Sequence, residues 1–289
     1  MKVSVGPPYF TPMSAIFAVP MLVVAMVGPL LRWRRDKIAR VRGVLLLPLV
    51  AMVLAAVLVG LHGGVALMPF IGLVLASGLA LASVLPLRGR KLAHVPLNVW
   101  GMVVAHFGIA VALAGMACDS AFSVQRLVAA RVGESVMVGP WAVRLAGVAP
   151  VAGQNWTALE GNLVASRGSD ASVHLAPQSR SFWAPVQTTS VSALHTVWDG
   201  QLYTVLGDEV ADDAGDMPTP ASDLAHSRWQ LRLWWKPFVP LIWAGGALVA
   251  LGGALALLGR LATDLRRYVA RGKIVDRKQR QALARGERA

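Results

Sequence analysis

The chain has 289 residues, of which 55% are hydrophobic and only 15% charged, against about 25% charged in an average soluble domain. Its net charge of +13 comes from 28 Lys and Arg against 15 Asp and Glu. The basic residues gather in short stretches between long apolar runs, which argues against nucleic-acid binding and for membrane topology. A single cysteine, Cys118, excludes an intrachain disulfide, a CxxC motif and a cysteine-based metal site.

In chain order, Met1 and Lys2 lead directly into Val3-Ser4-Val5-Gly6-Pro7-Pro8-Tyr9-Phe10. A basic stretch, a short apolar stretch and a small-residue cleavage site do not follow one another here, so this start does not read as a signal peptide. It reads as if further chain preceded it. Four apolar windows come next: Pro12 to Leu31, Gly43 to Leu61, Val65 to Leu85 and Leu97 to Ala117. Each is about 20 residues, enough to cross roughly 30 Å of hydrocarbon, and none contains Asp, Glu, Lys or Arg. Only His62, Gly63 and Gly64 separate the second from the third, which predicts a tight helical hairpin. The fourth carries Gly101, Ala105, Gly108, Ala112 and Gly115 on one stripe, where another helix can approach closely.

Residues 118–236 read as β. Ser135 to Val138, Trp141 to Val148, Trp156 to Ser166, Ser172 to Leu175, Gln201 to Leu206 and Arg228 to Trp234 alternate or are β-branched and aromatic. A small barrel or sandwich is expected, with Asp208 to Ser222 as a mobile acidic loop. A fifth span, Pro237 to Leu258, repeats the small-residue theme with Gly245, Gly252 and Gly259, flanked by Gly246 and Gly253. Beyond it lies a basic tail, 260–289, whose part after Arg271 is expected to be an interfacial helix or disordered.

Charge orients these elements. Basic residues fall at Arg32 to Arg42, at Arg88, Arg90 and Lys91, and in the tail; acidic ones crowd the β segment at Asp199, Asp208, Glu209, Asp212, Asp213 and Asp216. Short basic loops stay in the cytoplasm. The expectation is an α-helical polytopic membrane protein with five transmembrane helices and one small extracytoplasmic β-rich domain. Its parts are 1–117 (an N-out segment and spans one to four), 118–236 (outer), 237–259 (span five) and 260–289 (cytoplasmic). The tail suits anionic lipid headgroups.

His106 is the foremost chemical candidate, because an ionisable residue in mid-membrane is functional by default. Neutral imidazole is a good axial ligand for haem iron, and Ala105 and Gly108 leave room for a flat macrocycle. From the residues alone, a histidine hydrogen-bonded to another helix is the commoner case, and haem ligation the alternative. His62 lies in the hairpin turn, His94 beside the basic loop, and His174, His195 and His226 in the β segment, with no metal-ligand spacing among them. Trp229, Trp234, Trp235, Lys236 and Trp243 suggest an interfacial belt at the start of span five; stacking on a haem is a secondary possibility. Cys118 reads as a structural thiol. Asn155-Trp156-Thr157 fits a glycosylation acceptor, a pattern common by chance. No Ser-His-Asp pattern, Walker loop or GxGxxG is present.

Four stretches together resemble the C-terminal part of CcmF, a membrane subunit of the bacterial System I cytochrome c maturation machinery. They are Val3 to Phe10; Val27-Gly28-Pro29-Leu30; Trp100 to Val111 around His106; and Trp234-Trp235-Lys236-Pro237-Phe238-Val239 running into Ile242 to Gly246. The resemblance covers almost the entire chain. It implies that His106 is one axial ligand of a stable haem b, binding the haem iron, with the second ligand on an earlier helix. The family's tryptophan-rich WWD domain, that second ligand and the two outer histidines that hold delivered haem would all lie upstream; Trp198-Asp199-Gly200 is not the WWD motif.

The function so implied is that of a haem lyase component in the bacterial inner membrane, not competent alone and with no catalytic residue assigned. It would help pass haem from a CcmE-like chaperone to apocytochrome c. Its partners would be the WWD-bearing N-terminal CcmF part, CcmH- and CcmI-like thiol-handling subunits, and membrane lipid, with no nucleic acid. The alternatives are a non-catalytic scaffold for the maturation complex and a haem transporter subunit.

Overall fold

A computed structural model describes residues 7–31, 37–210 and 227–284. The chain divides into a helical unit, Met1–Ala114 with Ile242–Ala289, and a β unit, Gly115–Leu241.

The helices are α1 (Pro7–Val27), α2 (Ile38–His62), α3 (Leu67–Val84), α4 (Leu97–Phe122) and α5 (Pro240–Ala284). Among the described residues five helices are long and apolar enough to cross a membrane. All five expected spans are therefore present, with shifted ends. The last runs much further than the apolar window: α5 stays helical through the basic tail to Ala284. Gly63 and Gly64, at φ +72° and +69°, make the turn between α2 and α3, a left-handed conformation that glycine adopts without strain. The hairpin then closes tightly. Gly78 of α3 faces Met52 of α2, where a Cβ would lie 2.6 Å from the Met52 Cγ. Met26 and Leu30 of the first span, Leu79 and Ala82 of α3, and Ala110 of α4 form a buried apolar cluster.

The small-residue stripes of α4 and α5 meet each other. A Cβ added to Gly101 would stand 2.4 Å from the Ala256 nitrogen, and one added to Gly245 would stand 2.4 Å from the Ala112 nitrogen. Gly259 likewise abuts Asn98 at 2.5 Å. The pairing 98–259, 101–256 and 112–245 is antiparallel, and backbone meets backbone along three turns and more.

The β unit is a sandwich of two antiparallel sheets. Its strands are β1 (Val124–Arg131), β2 (Ser135–Val138), β3 (Trp141–Ala152), β4 (Trp156–Ser166), β5 (Val173–Leu175), β6 (Gln178–Trp183), β7 (Val186–Val191), β8 (Ala193–Val197), β9 (Gly200–Val210) and β10 (Arg228–Pro237). One sheet has the order β1-β10-β9-β8; the other has β2-β3-β4-β6-β7, with β5 also on β4. The two-residue period of a strand sorts the side chains. Trp229, Leu231, Leu233 and Trp235 of β10, Leu202 and Leu206 of β9, and Trp141, Val143 and Leu145 of β3 all point into one core. Of the expected acidic loop, 208–210 belong to β9 and 211–222 lie outside the described residues. Arg32 to Asp36 and His226 also lie outside them.

Candidate functional site

His106 sits in the middle of α4, half-buried, on the face it shares with Val103 and Ala110, three residues before and four after it. Both of those neighbours are buried. Its Nδ1 lies 2.8 Å from the carbonyl oxygen of Met102, one turn back. A carbonyl only accepts, so Nδ1 carries the proton and donates it. The lone pair is thereby placed on Nε2, which has no hydrogen-bond partner among the described residues. An imidazole pinned through one nitrogen to a backbone carbonyl, with the other nitrogen free, is the arrangement typical of a metal-ligating histidine. A neutral imidazole that presents Nε2 is a donor of the kind a haem iron accepts.

The small neighbours of His106 serve a different purpose from the one expected. Ala105 and Gly108, expected to leave space for a macrocycle, face α5 instead. A Cβ on Gly108 would stand 2.7 Å from the Gly245 oxygen, and the Ala105 backbone abuts Gly252. His106 projects about 100° around the helix from Ala105. Its ring therefore leaves the helix to one side of the glycine seam and not into it. None of the clefts described on this chain is lined by His106.

The remaining histidines are dispersed. His62 is exposed at the α2–α3 turn and His94 in the α3–α4 connection, while His174 is exposed on β5. His195 on β8 is half-buried, its ring edge-on to Trp141 at 5.4 Å. No group of three His, Cys, Asp or Glu is placed to hold a metal ion among the described residues. Cys118 is a half-buried free thiol near the end of α4. Asn155 uses its amide nitrogen to donate to the Ala184 carbonyl at 3.0 Å, which favours a structural role for that residue over glycosylation.

Two of the four tryptophans expected as an interfacial belt, Trp229 and Trp235, are internal. Trp229 is 2% exposed and donates from Nε1 to Ser227 Oγ at 2.6 Å; Trp235 is 7% exposed. The alternation of β10, continuing to the edge of α5, turns them into the sandwich instead. Trp234, on the other face, stacks edge-on to Tyr203. Trp243, inside α5, is 75% exposed.

Sequence reasoning missed the cluster around Trp235. Gly139 and Gly200, in two separate turns, press on its ring; a Cβ at either would come within 2.6 Å. The guanidinium of Arg167 lies 5.6 Å from the ring centroid and forms a two-pronged ion pair with Asp199, at 2.9 and 2.6 Å. Hydrogen bonding to Arg167 holds the Asp199 carboxyl below its ordinary value and raises the Arg167 guanidinium. The Asp199 carbonyl accepts from Phe238 N–H at 2.8 Å, and Lys236 lies 3.6 Å from Asp119 at the end of α4. This is a clamp at the rim where the chain enters and leaves the sandwich. In the sequence Trp235 and Lys236 stand out, but nothing there links them to Arg167, Asp199 or Gly139.

Comparison with known proteins gives a consistent result. Residues 121–237 match the family model described as the CcmF C-terminal beta-sandwich. The cytochrome c-type biogenesis protein CcmF of Escherichia coli K12 is 30% identical over 260 residues, 89% of this chain and 38% of that protein. The cytochrome c-type biogenesis protein CycK of Rhizobium meliloti is 29% identical over 274 residues, 90% of this chain and 38% of that protein. A solved structure of the cytochrome c haem lyase CcmF superposes with a TM-score of 0.69 at 26% identity, covering 87% of this chain and 40% of that one. The chain thus spans about two-fifths of the length of the curated relatives it matches. The resemblance to the C-terminal part of CcmF holds in domain, sequence and fold.

Proposed function

We propose that the chain is the C-terminal portion of a CcmF-like haem lyase. It acts in c-type cytochrome biogenesis, helping to transfer haem from a haem chaperone to apocytochrome c. The observation that carries this reading is similarity along almost the whole chain to proteins named for cytochrome c-type biogenesis, joined to a shared fold with a solved haem lyase. The chain is not competent alone. A WWD-bearing N-terminal CcmF part completes it, and a CcmE-like chaperone, CcmH- and CcmI-like subunits and apocytochrome c meet the assembled whole.

In this reading the protein lies in the bacterial inner membrane with its N-terminus periplasmic. Residues 1–117 contribute four spans, 118–236 a periplasmic sandwich, 237–259 the fifth span, and 260–289 a cytoplasmic tail. Arg88, Arg90 and Lys91 in the α3–α4 connection support this orientation. His106 would hold the iron of haem b through Nε2, its ring plane fixed by the Nδ1–H that it donates to the Met102 carbonyl. When bound, haem b supplies one-electron redox chemistry. The glycine seam fixes α4 against α5, and with it the position of His106 along the helix.

Complementation tests the function. The chain is co-expressed with an N-terminal CcmF part in a bacterium lacking its own CcmF, and c-type cytochromes are read by haem stain. Restored cytochromes only when both parts are present support the reading. Restoration without this chain contradicts it.

A further inference from the structure

The geometry points to a binding site for the phosphate group of an anionic phospholipid in a cleft between the ends of α1, α2 and α3. Two short 3-10 turns build it. Gly28–Leu30 follows α1 and Leu85–Leu87 follows α3, each with a proline at its start. Each of these prolines removes one helical N–H donor, and both helices end here, leaving a recess of about 440 Å³ beside the start of α2.

Three arginines stand around this recess: Arg40, Arg88 and Arg90. Among the described residues that line it none is acidic. Arg40 is tied to the rim by donating to the Leu30 carbonyl at 3.4 Å. Arg88 and Arg90 are held by their backbones, whose N–H groups donate to Leu85 and Leu87 at 3.0 and 3.1 Å, with Gly89 at φ +75° turning the chain between them. Their guanidiniums have no ion-pair or hydrogen-bond partner among the described residues. The like charges of Arg88 and Arg90 beside one recess repel unless an anion sits with them. A guanidinium's planar fork matches two oxygens of a phosphate.

The rest of the lining says which phosphate. Leu30, Leu31, Val44 and Leu47 form the wall, and Leu31 and Leu47 are also exposed on the outer surface. A free phosphate ion gains nothing from that wall. A phospholipid seats its headgroup among the arginines and runs an acyl chain down α2, as in other basic pockets between transmembrane helices. This proposal does not depend on the haem lyase reading.

The full chain in mild detergent, carrying R277Q/K278Q to reduce binding by the basic tail, is titrated with phosphatidylglycerol and followed by native mass spectrometry. One lipid is expected to bind, about 30-fold more weakly in R88Q/R90Q and recovered in R88K/R90K. Equal affinity in R88Q/R90Q overturns the site, as does equal affinity of the intact protein for phosphatidylcholine. Complete displacement by millimolar inorganic phosphate assigns the recess to a soluble anion instead. If R88Q/R90Q fails to fold, R90Q alone decides by the same criterion.

Discussion

The α-carbon of Gly252 is held against the backbone of Ala105, so closely that a Cβ on Gly252 would stand 2.4 Å from the Ala105 nitrogen. Its neighbour Gly253 has open space around the same position. Two glycines adjacent in sequence thus have opposite tolerances. Gly252→Ala must force α4 and α5 apart, at a cost of about 1–3 kcal/mol. Gly253→Ala is expected to leave stability within about 1 kcal/mol of the original. Thermal unfolding of the two variants in detergent measures the difference; equal melting temperatures would contradict the seam.

The Arg167–Asp199 pair gives the sandwich rim a defined acid limit. Hydrogen bonding to Arg167 depresses the Asp199 carboxyl, so its contribution is fully present above the ordinary carboxylate value of about 4 and is lost as pH falls through the lowered one. The expected result is a stability gap between the protein and Asp199→Asn that is constant from neutral pH down to about 5 and closes in more acidic solution. A gap that closes near neutrality would show that another group controls the rim.

Two core tryptophans should respond differently to loss of their N–H. Trp229 donates to Ser227, whereas Trp141 Nε1 is buried and finds no partner among the described residues. An unmet buried donor costs about 1–3 kcal/mol, which Trp141→Phe removes along with some packing. Trp229→Phe loses both packing and a hydrogen bond. Trp229→Phe is therefore expected to lower the melting temperature more than Trp141→Phe. The reverse order would mean that Trp141 has a partner in solution.

The membrane spans were legible because apolar runs of the right length have no other common use. Their ends were not, since α4 continues through Asp119 and α5 through the basic tail once the chain leaves hydrocarbon. Strands β3, β4, β9 and β10 showed in the sequence through alternation. β6 and β7 did not: Gln178 to Val191 is rich in Ser, Thr, Gln and Arg, and β7 is exposed on both faces except at its last residue. His106 stood out as the one ionisable group within the five apolar windows. The direction of its hydrogen bond, and the use of Ala105 and Gly108 by α5 instead of a ligand, depend on which helix packs where. Arg167 and Asp199 are 32 residues apart and gave no pattern to read.

The central claim is that His106 Nε2 binds haem iron. It is tested most directly by a pyridine haemochrome spectrum of the chain purified in complex with a WWD-bearing N-terminal partner, beside the same complex carrying His106→Ala. The account predicts b-type haem in the first, and its loss or lability in the second while the complex stays assembled. An assembled complex with the same haem content and spectrum in both would contradict it.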